Sequence, residues 1–318
     1  MTHIQTVCII VPVFNEAGVV STFHKSLVDA IDALPQQFTI LYINDGSRDA
    51  TAAELAALAA ADPRVGVATL SRNFGHQAAL SAGLDLADSD AVISMDGDGQ
   101  NPPAEIPGML ALAEQGYDLV QMQRGEHARQ GWFKDLSSAF FYWFINRVSG
   151  TPIAAGVADF RLLTRPAVEA LKKLPEYHRF LRGMTAWIGF PAIIQPYTMP
   201  ERLGGRSKYS LRMMLRLAAD ALFSFTLRPL YLMMAAGVAF MLFALVELVY
   251  VLSFWLRGLG HTLAPGWSSL MFVILFVGGA TMISLGVVGI YIGYIFQEIK
   301  GRPVYLLQSF HRPASSSD

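Results

Sequence analysis

The sequence predicts an α/β domain with a mainly parallel sheet, followed by an interfacial amphipathic helix and two transmembrane helices. Three observations indicate this class: alternating strand and helix patterns in the first 125 residues, an amphipathic stretch before residue 228, and two long apolar runs after it. Single helices between successive strands are typical of a parallel sheet that is covered on both faces. A chain of 318 residues is long enough for such a domain and a membrane region.

Charged residues are distributed unevenly along the chain. They make up 15% of all residues, against a usual share of roughly 25%. Only three of the 49 fall within residues 229–299, and 42 precede that segment. This pattern indicates a water-soluble domain and a lipid-embedded region, and it excludes a disordered chain, a coiled coil and a collagen-like repeat. The net charge of -1 gives no reason to expect nucleic acid as a partner, and the single cysteine, Cys8, fits a reducing compartment.

Five strands are predicted in the N-terminal part, at residues 7–13, 38–44, 65–70, 91–95 and 119–123. A helix to about residue 34 follows the first strand, and another starts near Ala50 after the second. Because ligands bind at the carboxyl ends of parallel strands, we expect functional side chains directly after the strands. The polar segments there are Asn15-Glu16, Asp45-Gly46-Ser47, Ser71-Arg72-Asn73 and Asp96-Gly97-Asp98.

Two apolar runs are long enough to cross a bilayer, since about 20 apolar residues span the hydrocarbon core. Residues 230–255 carry one charge, Glu247, and residues 270–294 carry none. Both outer flanks are richer in Lys and Arg than the 257–269 connection, so the positive-inside rule places both termini in the cytoplasm. We therefore expect a multi-pass protein of the cytoplasmic (inner) membrane. For Glu247, a functional role and a packing role both remain open.

The segment before the first run has an amphipathic pattern. Within residues 211–225, Arg212, Arg216 and Asp220 are spaced by four on one face, which is typical of an interfacial helix. Gly289 and Gly293 form a GxxxG pair that suits close packing against the other span or against a second subunit in a homo-oligomer. The predicted segments are a cytoplasmic domain (1–208), an interfacial helix (209–228), a two-helix transmembrane region (229–299) and a cytoplasmic tail (300–318).

Two carboxylates, Asp96 and Asp98, stand one residue apart on the turn after the fourth strand. Such a pair can hold Mg²⁺ or Mn²⁺, which is typically bound by one or two carboxylates together with substrate phosphates. The cation then neutralises a diphosphate leaving group. Neither a GxGxxG after the first strand nor a GxxxxGK[ST] occurs, so the usual dinucleotide and P-loop interpretations fail.

Six motifs follow one another between residues 11 and 209, before the two apolar runs: VPVFNE at 11–16, NDGS at 44–47, LSRNFG at 70–75, DGDGQNPP at 96–103, ADFRL at 158–162 and RSKY at 206–209. With these motifs the chain resembles family 2 inverting glycosyltransferases of the GT-A fold. Within them it is similar to the polyprenyl-phosphate glycosyltransferases, such as bactoprenol glucosyltransferases and dolichol-phosphate mannose synthases. One departure is the DGD core, where many relatives have DAD, but both carboxylates are kept.

The resemblance implies a metal-dependent enzyme that binds a nucleotide sugar and transfers the sugar, with inversion, to a lipid phosphate. The implied nucleotide-sugar-binding residues are Pro12, Glu16, Asp45, Arg72, Asp96 and Arg124. The implied metal ligands are Asp98 and Gln100, together with Asp96, and the implied catalytic residues are Asp159 and Asp96. Asp159 is commonly named the general base. A phosphate monoester is largely dianionic at neutral pH, however, so base and positioning roles for Asp159 both remain open.

Two basic loops are expected to meet the lipid phosphate or the donor diphosphate. The first carries Arg129 and Lys134 after the fifth strand, and the second carries Arg206, Ser207 and Lys208 before the interfacial helix. Their cations suit phosphate oxygens near a membrane surface, and solvated surface charge is the alternative.

UDP-glucose is the donor that the resemblance favours, with undecaprenyl phosphate as an example of the acceptor and cell-envelope glycan modification as the use of the product. GDP-mannose, UDP-GlcNAc, UDP-galactose and an amino-arabinose donor remain open. A processive polysaccharide synthase would normally show more spans and a QxxRW motif, and the sequence has no such motif. A non-catalytic membrane component would leave the carboxylates and phosphate-binding loops unexplained.

Overall fold

The structure is a computed structural model that describes residues 3–125, 157–177, 179–198, 200, 228–257 and 266–313. The chain divides into two compact units. The first comprises Met1–Leu215 and Arg302–Asp318, and the second comprises Arg216–Gly301.

The first unit is built on a sheet of eight strands among the described residues. Their bounds are β1 Thr6–Val13, β2 Gln37–Asn44, β3 Val65–Leu70, β4 Ala91–Ser94, β5 Leu119–Arg124, β6 Val157–Thr164, β7 Ala192–Tyr197 and β8 Leu307–His311. The order across the sheet is β7-β5-β6-β4-β1-β2-β3-β8. The five predicted strands are therefore present, each within one residue of its predicted bounds.

The sheet is mixed rather than uniformly parallel. The pairs β1–β2, β1–β4, β2–β3 and β5–β7 are parallel, whereas β3–β8, β4–β6 and β5–β6 are antiparallel. The antiparallel direction comes from β6 and β8, which pair with strands that precede them in the chain. Neither strand was predicted from the local pattern.

Helices connect the strands and cover the sheet. In the first unit they are α1 Val20–Ile31, α2 Thr51–Ala61, α3 His76–Leu86, α4 Ile106–Glu114, α5 Arg165–Lys172 and α6 Leu181–Trp187, with a short 3-10 turn at Pro103–Glu105. The middle strands are buried along most of their length, and Ile9, Ile40 and Ile93 are fully buried. Burial of each such side chain contributes about 1.5–3 kcal/mol, which explains why the continuous Val and Ile runs form the centre of the sheet.

Helix α3 packs closely on β1 at Gly83. A Cβ atom added there would overlap Cγ2 of Ile10, and it would lie 3.1 Å from two further carbons of the same side chain. Ile10 is fully buried, so it has little room to move. Close packing of this kind fixes the helix whose first residue is His76.

We expect Gly83→Ala to lower the free energy of unfolding by about 1–3 kcal/mol, because overpacking a filled core forces neighbours out of their rotamers. Urea unfolding of the full chain in detergent measures the effect. Gly108→Ala is the matched control, since Gly108 is also helical but a Cβ there meets no described atom within 4 Å. That variant should be neutral or more stable by up to about 1 kcal/mol. An unchanged midpoint for Gly83→Ala would contradict the packing argument.

The chain after the second unit returns to the sheet. Strand β8 pairs with β3, the N–H of Ser71 donates to the carbonyl of Leu306 (2.9 Å), and the hydroxyl of Tyr305 donates to Asp85 on α3 (3.0 Å). The sequence predicted only a tail over residues 300–318. The structure places a strand within it, at the edge of the sheet.

The second unit contains α7 Arg228–Leu256 and α8 Trp267–Ile299. Their 29 and 33 residues correspond to about 43 and 50 Å at 1.5 Å per residue. The rings of Phe240 and Phe276 meet edge to face at 5.2 Å between centroids. Among the described residues, one stretch, Phe276–Ile299, is long and apolar enough to cross a membrane.

Both predicted spans therefore lie within helices, while the prediction that both cross a membrane stays a prediction. A Cβ added at Gly289 or Gly293 would meet no described atom within 4 Å. Within the described residues of one chain, the GxxxG pair thus does not mediate close packing of α8 against α7. The predicted interfacial helix, residues 209–228, lies outside the described residues except for Arg228 itself.

Candidate active site

The loops that follow β1 and β2 are tied to each other. The backbone N–H of Asn15 donates to the Ser47 hydroxyl (3.0 Å), and the side-chain oxygen of Asn15 accepts from the N–H of Arg48 (2.9 Å). Asn15 has φ 53°, in the left-handed region that Asn tolerates better than most residues. The N–H of Glu16 donates to the hydroxyl of Thr51 (3.0 Å). These bonds hold Glu16 beside the end of β2.

Pro12 and Asp45 lie at the ends of the same two strands. Pro12 pairs in register with Ile43, and the N–H of Asp45 donates to the carbonyl of Val13 (3.0 Å). The structure therefore brings Pro12, Glu16 and Asp45 to one edge of the sheet.

The Asp45 carboxylate organises the loop after β3. It is part of a residue that is only 3% exposed, and its oxygens accept from the N–H groups of Phe74 (2.7 Å) and Gly75 (2.9 Å). Burial raises the pKa of Asp45, against the opposing effect of these two hydrogen bonds. The guanidinium of Arg72 lies 4.0 Å from the ring centroid of Phe74. The loop after β3 packs closely against Gly46. Only a glycine fits there, because a Cβ at this position would lie 2.5 Å from the backbone carbon of Arg72.

The turn after β4 presents the two predicted carboxylates. The N–H of Asp96 donates to the side-chain oxygen of Asn101 (2.7 Å), and the N–H of Gln100 donates to Asp98 (3.0 Å). Asn101 is fully buried, so its hydrogen bond holds the turn against the protein interior. The turn therefore has a defined shape that holds Asp96 and Asp98 at the strand end.

The donor set of this turn fits a cation that is shared with a phosphate-bearing substrate. Within the described residues, no group of three or more His, Cys, Asp or Glu side chains could hold a metal by itself. Asp96 and Asp98 supply two carboxylates, and Mg²⁺ is commonly held by one or two carboxylates plus substrate phosphates and water. The buried Gln100 lies on the same turn.

Charges around Asp96 explain how it titrates. Burial raises the pKa of Asp96, and so do the charges of Asp159 and Asp98, whereas His76 and Arg124 oppose them. A cation bound to Asp96 and Asp98 would favour the ionised form of Asp96.

Asp159 lies on β6, the strand next to β4, and three basic side chains surround it. Arg182 from α6 donates to both carboxylate oxygens through Nε (3.2 Å) and Nη2 (2.9 Å). Arg161, two residues along the same face of β6, forms a close ion pair with Asp159. Nε2 of His76 lies 3.5 Å from Asp159 and 3.6 Å from Asp96.

These contacts determine the ionisation of Asp159 and His76. Burial alone would raise the pKa of Asp159, but Arg182, His76 and Arg161 outweigh it and hold that pKa well below its usual range. For His76, desolvation favours the neutral ring, but the hydrogen bond to Asp159 and the charge of Asp96 raise the pKa. Asp159 is therefore an ionised carboxylate held by cations.

Arg124 ends β5 near the same turn. It pairs in register with Tyr197 and hydrogen-bonds the Tyr197 hydroxyl, to which the side chain of Asn101 also donates (3.4 Å). Tyr197 thus connects Arg124 to the residue that anchors the Asp96 turn.

Three residues of this cluster were not predicted as site residues: His76, Arg161 and Arg182. His76 directly follows the LSRNFG motif and Arg161 lies inside ADFRL, so the motifs themselves could have indicated these two residues. Arg182 lies on α6 and follows no strand. Only the packing of that helix brings it to Asp159.

The two predicted phosphate-binding loops are not part of this geometry. Arg129 and Lys134 lie outside the described residues, as do Arg206, Ser207 and Lys208. Their predicted roles remain predictions.

Known proteins resemble this chain along almost its whole length. It is 36% identical over 306 residues to the Bacillus subtilis (strain 168) glycosyltransferase YkcC, covering 96% of this chain and 94% of the relative. It is 36% identical over 311 residues to the bactoprenol glucosyl transferase of Shigella phage SfII, covering 96% of this chain and 98% of the relative.

A solved structure that resembles the chain is glucosyl-3-phosphoglycerate synthase from Mycobacterium tuberculosis, in complex with Mn²⁺, uridine diphosphate and phosphoglyceric acid. The identity is 20%, the TM-score is 0.49, and 69% of this chain and 78% of that chain are covered.

The family assignment rests on the matched sequence. Residues 8–172 match Glycosyl transferase family 2. This segment contains β1 from its third residue and all of β2 to β6, and with them Asp45, the Asp96 turn and Asp159. The mixed α/β sheet is GT-A-like, as the resemblance implied. The chain belongs to glycosyl transferase family 2.

Proposed function

We propose that this glycosyltransferase transfers a sugar, with inversion, from a nucleotide sugar to a polyprenyl phosphate such as undecaprenyl phosphate. One observation carries the proposal: the bactoprenol glucosyl transferases of Shigella phages SfII and SfV are 36% identical over 96% and 95% of this chain. UDP-glucose is the proposed donor. GDP-mannose, UDP-GlcNAc and an amino-arabinose donor are the alternatives that the experiment below separates.

On the donor side, Pro12, Glu16 and Asp45 form the proposed nucleotide pocket. They lie at the ends of β1 and β2, where ligands of such sheets bind. Arg72 and Arg124 are the proposed cations for the donor phosphates. Asp45 accepts two backbone hydrogen bonds from the loop that carries Arg72, so nucleotide binding and the order of that loop are coupled.

A divalent cation, Mg²⁺ or Mn²⁺, is the proposed cofactor, with Asp98, Gln100 and Asp96 as the residues that would hold it. When bound, it would neutralise the negative charge that develops on the leaving diphosphate. Asp96 also faces the sugar-phosphate part of the donor. The reaction itself is a direct displacement: a phosphate oxygen of the acceptor bonds to the anomeric carbon as the bond to the nucleoside diphosphate breaks.

On the acceptor side, Arg129, Lys134, Arg206, Ser207 and Lys208 are the proposed contacts to the lipid phosphate or the donor diphosphate. A polyprenyl phosphate keeps its phosphate at the headgroup level of a bilayer. Tethering the enzyme there raises the effective concentration of the acceptor. We therefore propose two membrane spans, at 230–255 and 270–294, an interfacial helix before them and both termini in the cytoplasm. A homo-oligomer formed through the spans is a further proposal.

The function is tested with the full chain in detergent or lipid, incubated with undecaprenyl phosphate and a panel of radiolabelled nucleotide sugars. We expect label to enter the lipid fraction from UDP-glucose and to require Mg²⁺ or Mn²⁺. Label from a different donor would replace the proposed sugar and keep the reaction class. An active preparation of the SfII relative is the positive control, and absence of lipid label with every donor would contradict the proposal.

The topology predicts that the 257–269 connection lies outside the cytoplasm. A cysteine at Ser268 should react with an impermeant maleimide in intact cells, whereas a cysteine at Ser316 should react only after lysis. Cys8 is replaced by Ser for this test, although burial raises the pKa of its thiol to about 12 and makes it a poor nucleophile. The opposite labelling pattern would reverse the orientation.

A further inference from the structure

The ion cluster around Asp159 is buried on one side and partly exposed to solvent on the other. The exposed fraction of the side chain is 3% for Arg161 and 7% for Asp159, and it rises to 27% for Arg182, 30% for Asp96 and 37% for His76. A substrate that enters this site therefore meets Arg182, Asp96 and His76 before it reaches Asp159.

The cluster is held by α6 as well as by β6. Nη1 of Arg161 donates to the hydroxyl of Thr185 (3.3 Å), which in turn donates to the carbonyl of Arg182 (3.1 Å). The two contacts of Arg182 with Asp159 complete a closed set of bonds. Both ends of the Arg182 residue, its backbone carbonyl and its guanidinium, are thus fixed relative to β6.

This geometry argues against Asp159 as the general base. Its Oδ1 faces Arg161 and Nε of Arg182, and its Oδ2 faces Nη2 of Arg182 and the ring of His76. A base needs an oxygen within hydrogen-bond reach of the proton that it removes. A phosphate monoester is mostly a dianion at neutral pH, so the proposed acceptor has little need of such a base.

The exposed cation of this cluster suits an anion. Asp159 is paired with two guanidiniums, and Asp96 lies beside His76, so the two carboxylates of the cluster are balanced by Arg161 and Arg182. Arg161 is too deeply buried to meet a substrate, whereas Arg182 is partly exposed. A guanidinium has five N–H donors in a fixed plane, so it can hold a carboxylate and also meet a phosphate.

We propose that Asp159 is a positioning residue that fixes Arg182, and that Arg182 binds the phosphate of the lipid acceptor. This inference rests on the proposed function and deepens it. It assigns a phosphate-binding side chain within the described residues and gives Asp159 a role other than proton removal. The donor diphosphate offers the same chemistry as the acceptor phosphate, and the experiment distinguishes the two.

The test measures kcat and KM for undecaprenyl phosphate, and Kd for UDP by calorimetry, in wild type, Arg182→Ala, Asp159→Asn and the double variant. Loss of one charge-assisted hydrogen bond should lower kcat/KM for the acceptor by roughly tenfold to a hundredfold, mainly through KM. Kd for UDP should change less than about twofold. Arg182→Lys should recover part of the loss because it keeps the charge.

The double variant is the sharpest comparison. If Asp159 acts through Arg182, Asp159→Asn shows the same acceptor defect, and adding it to Arg182→Ala costs little more. Arg165→Ala is the matched control, because it removes an exposed arginine that pairs with Asp88 at 2.9 Å. It should keep wild-type kinetics within about twofold.

Several results would overturn the inference. A fall in kcat alone for Asp159→Asn, with acceptor KM and the Arg182→Ala variant unaffected, would restore the general base. Weaker UDP binding in Arg182→Ala would assign Arg182 to the donor diphosphate. Independent losses that multiply in the double variant would exclude the positioning role.

Folding is followed by thermal unfolding, because Asp159→Asn removes the charged partner of the buried Arg161. Arg182→Lys and Arg182→Gln leave that pair intact, so acceptor KM in these two variants decides the phosphate-binding role even if Asp159→Asn is unstable. A wild-type enzyme that transfers sugar to no lipid phosphate would overturn the proposed function and this inference with it. If the wild type transfers sugar and the Arg182→Gln variant has an unchanged KM for the acceptor, the inference is overturned and the proposed function stands.

Discussion

Replacing Asp98 with Asn is expected to reduce sugar transfer by at least about 10³-fold while the domain stays folded, since losing about 4 kcal/mol of transition-state stabilisation corresponds to that factor. The substitution keeps the shape of the side chain, and the amide oxygen can still accept the N–H of Gln100, which lies 3.0 Å from the carboxylate. It removes one negative charge from a turn that offers two carboxylates to a cation. A cation that neutralises a diphosphate contributes several kcal/mol, so weakening its site affects the transition state directly.

Transfer from UDP-glucose with increasing Mn²⁺ measures this effect, together with the response of wild type to EDTA. Asp88→Asn is the control, because Asp88 is 87% exposed and pairs with Arg165 rather than with the site. It should leave turnover unchanged. Wild-type turnover in Asp98→Asn, or full activity of wild type in EDTA, would show that Asp98 holds no essential metal.

Local sequence was sufficient for the strands that form the middle of the sheet. Runs such as VCIIVPV and TILYIN are buried on both faces, so their continuous apolar pattern is a direct consequence of the helices that cover them. The polar residues after these strands meet because parallel neighbours end at the same edge. That rule is enough to place Asp45 and the Asp96 turn at the same edge of the sheet.

Strands β6 and β8 depend on pairings that a local pattern does not contain. In β8, residue 307 pairs with residue 70, and β6 enters between β4 and β5 although it follows both in the chain. The sequence ADFRL was recognised as a motif, but its direction in the sheet was not. Asp159 and Arg161 share a face because they are two residues apart in one strand, and the antiparallel pairing of β6 with β4 places Arg161 opposite Ser94 at the end of β4.

The cations around Asp159 were missed for a related reason. His76 begins α3 and Arg182 lies in the first turn of α6, and these helices approach each other only when both pack on the sheet. Ion pairs across separate elements depend on tertiary packing, which no spacing rule encodes. These partners make Asp159 an ion-paired carboxylate, whereas the sequence left base and positioning roles for it open.

Replacing both Arg206 and Lys208 with Ala is expected to lower transfer by about 10²-fold or more. The two residues lie outside the described residues, and the prediction rests on their place in the RSKY motif just before the predicted interfacial helix. Two cations there would hold the phosphate of a lipid at the bilayer surface by charge-assisted hydrogen bonds, each contributing roughly 1.5–3 kcal/mol. Each 1.4 kcal/mol corresponds to about a tenfold change.

Steady-state kinetics with undecaprenyl phosphate and calorimetric titration of UDP separate the two ways in which the pair could act. If Arg206 and Lys208 contact the acceptor, its apparent KM rises or turnover collapses while Kd for UDP barely changes. If they hold the donor diphosphate, UDP affinity falls together with activity. Lys300→Ala with Arg302→Ala is the matched control, because these exposed cations follow α8 and flank the second predicted span. Equal losses in both double variants would indicate a general effect of basic charge at the membrane surface. Wild-type transfer in the Arg206 and Lys208 variant would show that neither residue belongs to the site.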